Sequence, residues 1–259
     1  MGGGPRVALL GIDTSGTAAY VTSRVGDLSV TRCSAEAAGI AESLPSLTAE
    51  VFRAVGSLKR VSFAEISIVL GPGGYTGLRT GLAYAEGLSL ADSAPLYGAS
   101  VMTLGILGSL IDDGYLSDLV ADKGLSKRLR GRTYLVSVPS TRLAQGSPSL
   151  MDERFFQVLS FEILAGALRL TARSEILFAP SSEVHPRSEV ILAGQSGGNF
   201  GPPIALALEP YFSRLSELSC IACELKRIFP AQVPFRPLYG KAVNAKTMEE
   251  RGKHTVSPG

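Results

Sequence analysis

The chain has no tryptophan, two histidines and three cysteines in 259 residues. Three cysteines in a chain this long are not a disulfide framework. His185 and His254 lie far apart in sequence, and no serine has a plausible histidine partner, so no Ser-His-Asp set is expected. An excess of charge is lacking too. The formal net charge is +2, which excludes a nucleic-acid binder driven by overall charge alone. No apolar run is long enough to span a bilayer, because Gly, Pro, Asp or Arg interrupts each one. The opening Met1–Arg6 has neither a signal-peptide pattern nor the Ser/Thr of a myristoylation signal. The expectation is a cytoplasmic protein with no membrane contact.

What remains is a globular composition, 45% hydrophobic and 19% charged. The chain is long enough for one large domain or two small ones. Its most informative stretch is Ile66–Ala91, ISIVLGPGGYTGLRTGLAYAEGLSLA. Ile66, Ile68, Val69 and Leu70 predict a short core strand that ends at Gly71. Gly71-Pro72-Gly73-Gly74 breaks regular structure, since proline fixes φ and glycine permits φ > 0 and close backbone approach. Thr76 is the expected N-cap of a helix whose Leu78, Leu82, Ala85 and Ser89 recur at helical spacing. Gly77, Gly81 and Ala85 form a second row with almost no side chain. Glycine in a helix costs about 1 kcal/mol against alanine, so two on one face predict a very close neighbour.

Upstream, Val7–Ile12 predicts a strand ending in the polar turn Asp13-Thr14-Ser15-Gly16. Thr17–Arg24 and Leu28–Cys33 predict a hairpin around Gly26-Asp27. A strand ending in an aspartate and hydroxyls, then a hairpin, opens actin-like ATPase lobes; a plain hairpin with an Asx turn is the alternative. Ile40–Leu58 reads as an amphipathic helix with Ile40, Leu44, Leu47, Val51, Ala54 and Leu58 on one face and Pro45 marking its start. Downstream, the expectations are a strand at Ala94–Tyr97, a helix capped by Ser100, strands at Thr133–Val138 and Arg154–Phe161, a helix at Glu162–Arg169, a strand at Glu189–Gly194 and a long helix over Tyr211–Phe229. Lys123, Lys127, Arg128, Arg130 and Arg132 form a basic run without interleaved aromatics, either a solvated face or a phosphate contact. Cys220-Ile221-Ala222-Cys223 is a lone C-x-x-C, read as buried thiols and not a metal site.

GPGGYTGLRTGLAYAEGL resembles the signature of the TsaB (YeaZ) family of bacterial tRNA threonylcarbamoyladenosine synthesis. Gly71, Pro72, Gly73, Thr76, Gly77, Leu78, Arg79, Gly81, Ala85, Gly87 and Leu88 match it. Gly11-Ile12-Asp13-Thr14-Ser15 resembles the family's opening, and Pro234–Lys246, PFRPLYGKAVNAK, its closing segment. The likeness is dense over about the first hundred residues and thin over 111–190. It implies an α/β, actin-like ATPase (ASKHA/RNase H-like) fold of two similar lobes, each a mixed sheet flanked by helices. The lobes would span 1–111 and 112–240, with 241–259 a flexible tail.

The resemblance also implies a role: a non-catalytic subunit that pairs with a TsaD-like transferase and a TsaE-like ATPase, dimerises when alone, and meets tRNA indirectly. The interface would be Gly77, Leu78, Gly81, Ala85, Leu44, Leu47 and Val51. Asp13, Thr14, Ser15, Gly71 and Gly73 would be a vestigial phosphate loop. No catalytic residue, metal or cofactor of its own is expected, with ATP or ADP entering only at the level of the complex. Two departures matter. The histidine usual near the first helix is absent, and the strand Thr133–Val138 runs into Pro139-Ser140-Thr141 without the family's Asp-Ala-Arg segment. A nucleotide site needs phosphate loops from both lobes and a metal-holding carboxylate. The competing readings are an ATPase, kinase or peptidase acting through Asp13, and a tRNA-contacting module using residues 123–132.

Overall fold

The computed structural model describes residues 8–34, 39–55, 63–121, 128–139, 153–173, 177–180 and 204–239. The protein is a mixed α/β molecule built on two mixed sheets flanked by helices. The first sheet contains β1 (Ala8–Asp13), β2 (Tyr20–Val25), β3 (Leu28–Cys33), β4 (Phe63–Val69) and β5 (Leu96–Ala99), in the order β3-β2-β1-β4-β5. β1, β2 and β3 pair antiparallel, whereas β1, β4 and β5 pair parallel. The helices that return the chain between the parallel strands are α1 (Ile40–Ala54) and α2 (Tyr75–Asp92). They are followed by α3 (Val101–Asp112) and α4 (Leu116–Ala121).

The second sheet contains β6 (Thr133–Pro139), β7 (Glu153–Leu164), β8 (Ala167–Ala172), β9 (Leu177–Pro180) and β10 (Ile204–Ala207), in the order β10-β6-β7-β8 with β9 on β7. β6, β7 and β8 pair antiparallel and β10 lies parallel to β6. The path β8-β7-β6-β10 therefore repeats β3-β2-β1-β4. Pro139, at the end of β6, takes the position that Asp13 has at the end of β1.

A 3-10 turn at Glu209–Arg214 leads into α5 (Leu215–Glu224), which crosses back onto the first sheet. The strand alternation explains how both faces of that sheet are covered. Leu10, Ile12, Val21, Ile66 and Ile68 join the core under α1 and α2. Their neighbours on the opposite face, Gly11, Thr22 and Ser67, meet α5: an added Cβ at Gly11 would lie 2.0 Å from the Ser216 carbonyl oxygen. Thr22 and Ser216 share a hydroxyl hydrogen bond of 2.7 Å, and Ser67 and Ser219 one of 2.9 Å. α5 falls within the span expected for the second lobe, yet packs against the first sheet.

Several elements differ from the expected ones. The second strand begins at Tyr20 and not Thr17, because residues 15–18 bend before the register Asp13↔Tyr20 closes. β4 starts at Phe63, lengthened by its pairing with β1, and β5 is shifted by two residues to Leu96–Ala99, where it pairs with β4. Pro45 does not mark the start of α1 but sits inside it, on the exposed side with Ala41, where solvent can reach the carbonyl left without a donor. Ala54 is exposed and the helix ends there. α2 begins at Tyr75 with Gly74 as N-cap, so Thr76 caps nothing. Ser100 does cap α3, its Oγ accepting the Thr103 N–H at 3.1 Å.

Glu162–Arg169 is no helix. Ala165 and Gly166, both at positive φ, turn β7 into β8, and Leu164 pairs with Ala167. This two-residue hairpin matches the twist of the strands. The last helix is shorter than Tyr211–Phe229, as its first turn is 3-10 and its last residue is Glu224. β9, β10 and α4 were not anticipated. Leu58, Lys123, Lys127, His185, the strand expected at 189–194, His254 and the tail lie outside the described residues.

Cys220 and Cys223 are buried on α5 and Cys33 is exposed. Burial pushes the Cys220 thiol up to about 12 and raises Cys223 in the same direction. An unfolded thiol ionises near about 8.5. The neutral, buried thiols therefore contribute stability that is whole below that pH and is lost as pH rises from there towards 12. Ellman's reagent at pH 8 should titrate one thiol in the native protein and all three in urea.

Candidate functional site

The three segments that carry the family resemblance, the last of them described as far as Tyr239, meet in one place. Asp13, Thr14 and Ser15, at the end of β1, are fully buried. Asp13 Oδ1 accepts the Ser15 N–H at 2.9 Å and the Ser15 hydroxyl at 2.5 Å, an Asx turn. The Gly74 N–H donates to the Ser15 carbonyl at 3.1 Å, which ties the glycine loop to this turn.

The glycines of the loop and of α2 explain the closeness. An added Cβ at Gly73 would lie 2.5 Å from the Ser15 carbonyl oxygen, at Gly77 2.4 Å from the Thr14 carbonyl oxygen, and at Gly81 2.1 Å from Thr14 Oγ1. The close neighbour that the small-residue row required is the 13–15 turn of the same chain. Thr14 Oγ1 is buried with no hydrogen-bond partner among the described residues.

Gly77, Leu78, Gly81 and Ala85 are thus buried on the inner face of α2, and Leu44, Leu47 and Val51 on the inner face of α1. All seven pack the interior of this lobe. The outer face of α2 carries another row at helical spacing. Thr76, Ala83 and Gly87 are exposed, Thr80 is half-buried and Leu90 is 84% exposed. Among the described residues nothing within 4 Å would meet a Cβ at Gly87.

The closing segment completes the site. After α5 the chain runs across the ends of β4 and β5. The Gln232 N–H donates to the Gly98 carbonyl at 2.9 Å and the Leu238 N–H to the Leu70 carbonyl at 2.7 Å. Gly71, at φ +105°, and Gly98 leave the room this requires: a Cβ would stand 2.7 Å from the Leu238 carbonyl oxygen at the first and 2.9 Å from the Phe235 ring at the second. Tyr239 then packs against Tyr75 with ring centroids 4.8 Å apart and the ring planes tilted by 39°. The Arg79 guanidinium lies 5.1 Å from the Tyr75 ring centre and donates to its hydroxyl. No pattern in the sequence pairs Tyr75 with Tyr239 across 164 positions; only the matching of both segments to one family hinted at it.

The basic run is placed elsewhere. Arg128 pairs with Asp118 at 3.0 Å and lies over Tyr115, which Arg132 also covers, with centroid distances of 4.7 and 5.5 Å. The run has no aromatic of its own, but the fold brings one to it from the start of α4. Arg130 is exposed. Among the described residues no group of His, Cys, Asp and Glu could hold a metal ion, and no helix is long and apolar enough to cross a membrane.

Comparison with protein-family models and with curated proteins found no match. Among solved structures, the chain is similar to YeaZ from Pseudomonas aeruginosa, at 18% identity over 67% of this chain and 68% of that one, with a TM-score of 0.44. It is also similar to an uncharacterized protein described as resembling peptidase YEAZ from Pseudomonas aeruginosa, at 15% identity over 87% of this chain and 99% of that one, with a TM-score of 0.48.

Proposed function

We propose that this protein is a non-catalytic partner subunit of a bacterial tRNA threonylcarbamoyladenosine synthesis complex, which pairs with and supports a TsaD-like transferase alongside a TsaE-like ATPase. The reading places both sheets in an actin-like fold, in agreement with the repeated path β3-β2-β1-β4 and β8-β7-β6-β10. One observation carries it: α2 is locked by its glycines onto the 13–15 turn while its opposite face, with Ala83, Gly87 and Leu90, is left uncovered by the described residues. Small side chains on a fixed helix let a second helix approach closely, and an exposed leucine beside them gives that approach an apolar gain. The same face serves self-association of the free protein.

An enzyme acting through Asp13 is less well supported. Its Oδ1 is held by its own turn, the residue is fully buried, and the equivalent place in the second sheet is Pro139. A phosphate at the 13–15 turn would compete with the glycine loop for the same space.

Light scattering after size-exclusion chromatography tests the proposal, with the protein alone and mixed with the TsaD-like subunit of the same cell. Wild type should form a hetero-complex. Ala83→Arg, at an exposed position that the fold tolerates, should abolish it without changing the circular dichroism. A complex that forms equally with Ala83→Arg, or no complex with wild type, would overturn the reading.

A further inference from the structure

We infer that Tyr75, Arg79, Arg236 and Tyr239 form a surface that binds single-stranded nucleic acid, separate from the basic run around Arg130 and independent of the partner reading above. Tyr75 is 42% and Tyr239 38% exposed, and both belong to elements fixed by backbone hydrogen bonds, so the rings are held ready before a ligand arrives. Arg79 sits over Tyr75, and Arg236 is exposed three residues before Tyr239 on the same crossing segment.

The chain segments that carry these four side chains are free of carboxylates. Gly71–Ala85 and Leu225–Tyr239, the two segments that meet here, contain no aspartate or glutamate. Asp13, the carboxylate of the neighbouring turn, is buried and engaged with Ser15. The Arg79 guanidinium is held by a phenol and a ring face, which leaves its charge uncompensated by any carboxylate in those two segments.

The complementary ligand is polyanionic and presents flat, unstacked faces. A single strand has both, with bases for the tyrosine rings and phosphates for the two arginines. A duplex hides its base faces, and an acidic peptide offers charge but no planes to stack.

The test is fluorescence anisotropy of the full chain with labelled oligonucleotides of about 12 nucleotides, within the site sizes of single-strand binders. The arms are a mixed-sequence RNA strand, the same strand as DNA, the RNA duplex, and labelled polyglutamate, each over a salt series. Wild type should bind the RNA strand more tightly than the duplex. Tyr75→Ala and Tyr239→Ala should each weaken binding about 5- to 150-fold, the loss expected for one stacked base. Tyr239→Phe, which keeps the ring, should bind like wild type. Arg79→Gln should reduce the salt slope by about one, while Arg130→Gln leaves affinity unchanged.

Equal binding of the DNA strand would assign the surface to single strands in general, and preference for the ribose strand would assign it to RNA; both support the inference. Thermal melts confirm that each variant is folded. Folded alanine variants that bind like wild type, a duplex bound as tightly as the strand, or polyglutamate bound with the same tyrosine dependence while the strands are not, would each overturn it.

Discussion

Gly81→Ala destabilises the protein by about 3 kcal/mol, the upper part of the range for overpacking a close-packed interior. That corresponds to a fall of about 10 °C in Tm for a chain of this size. The reason is the position of Thr14, whose Oγ1 would stand 2.1 Å from the new methyl, with Cγ2 at 3.0 Å and Cβ at 3.1 Å. Thr14 is fully buried on a turn pinned by Asp13 and by the Gly74 N–H, so it cannot step aside.

The same geometry supplies the rescue. Thr14→Ala removes Oγ1 and Cγ2, the two nearest atoms, and also removes a buried hydroxyl that has no hydrogen-bond partner among the described residues. Alone it should be close to neutral, because truncating an unsatisfied polar group offsets the lost packing. In the double variant most of the Gly81→Ala loss should disappear, a coupling of about 2 kcal/mol measurable by urea denaturation of the four proteins. Gly87→Ala, on the open side of the same helix, should raise stability by about 1 kcal/mol, the ordinary helix gain. Additive losses in the double variant would mean that α2 and the 13–15 turn are not in contact.

Gly11→Ala is expected to be more severe, enough to leave little folded protein. Its methyl would lie 2.0 Å from the Ser216 carbonyl oxygen and 2.8 Å from Cys220 Sγ. The nearest atom is backbone, so no rotamer relieves the overlap and α5 must withdraw by about 1 Å or more to reach ordinary contact. Withdrawal strains the Thr22–Ser216 and Ser67–Ser219 hydroxyl pairs, all four of whose residues are buried. Thr22, Ser67 and Ser219 keep hydrogen bonds to the Thr31 hydroxyl and to the Leu10 and Ser216 carbonyls, so the Ser216 hydroxyl is the one that loses its partner, at about 1–3 kcal/mol. Together with an overlap against backbone, about 3 kcal/mol or more, the loss is a large part of the stability of a typical domain, about 5–15 kcal/mol. The soluble yield and the urea midpoint measure it, and a Gly11→Ala protein with a wild-type midpoint would show that α5 does not lie on β1.

Much of the first sheet was legible in the sequence because its signals are local. The apolar run of β1, the Gly26-Asp27 hairpin, the spacing of Leu44, Leu47 and Val51, and the glycine loop each depend on residues within a few positions of one another. Glu162–Arg169 reads as a helix in the sequence and is a strand hairpin in the structure, because the alternation on either side is short and the turn residue Ala165 gives no signal of its positive φ. The sequence also announced that Gly77 and Gly81 need a close neighbour, without saying which. Glycine reports the absence of a side chain and not the identity of what fills the space.

The sequence by itself determined that a strand, a glycine loop and a small-faced helix follow one another, and that the strand Thr133–Val138 runs into Pro139-Ser140-Thr141 with no carboxylate, whereas Val7–Ile12 runs into Asp13. Only the tertiary structure decided that the helix's glycines face the Asp13-Thr14-Ser15 turn, that its outward row is Ala83, Gly87 and Leu90, and that Tyr239 returns to Tyr75. The physical reason is range. Periodicity fixes which residues share a face, whereas the choice of what each face meets depends on long-range packing, here the crossing of α5 over Gly11 and the two backbone hydrogen bonds that hold the closing segment to Leu70 and Gly98.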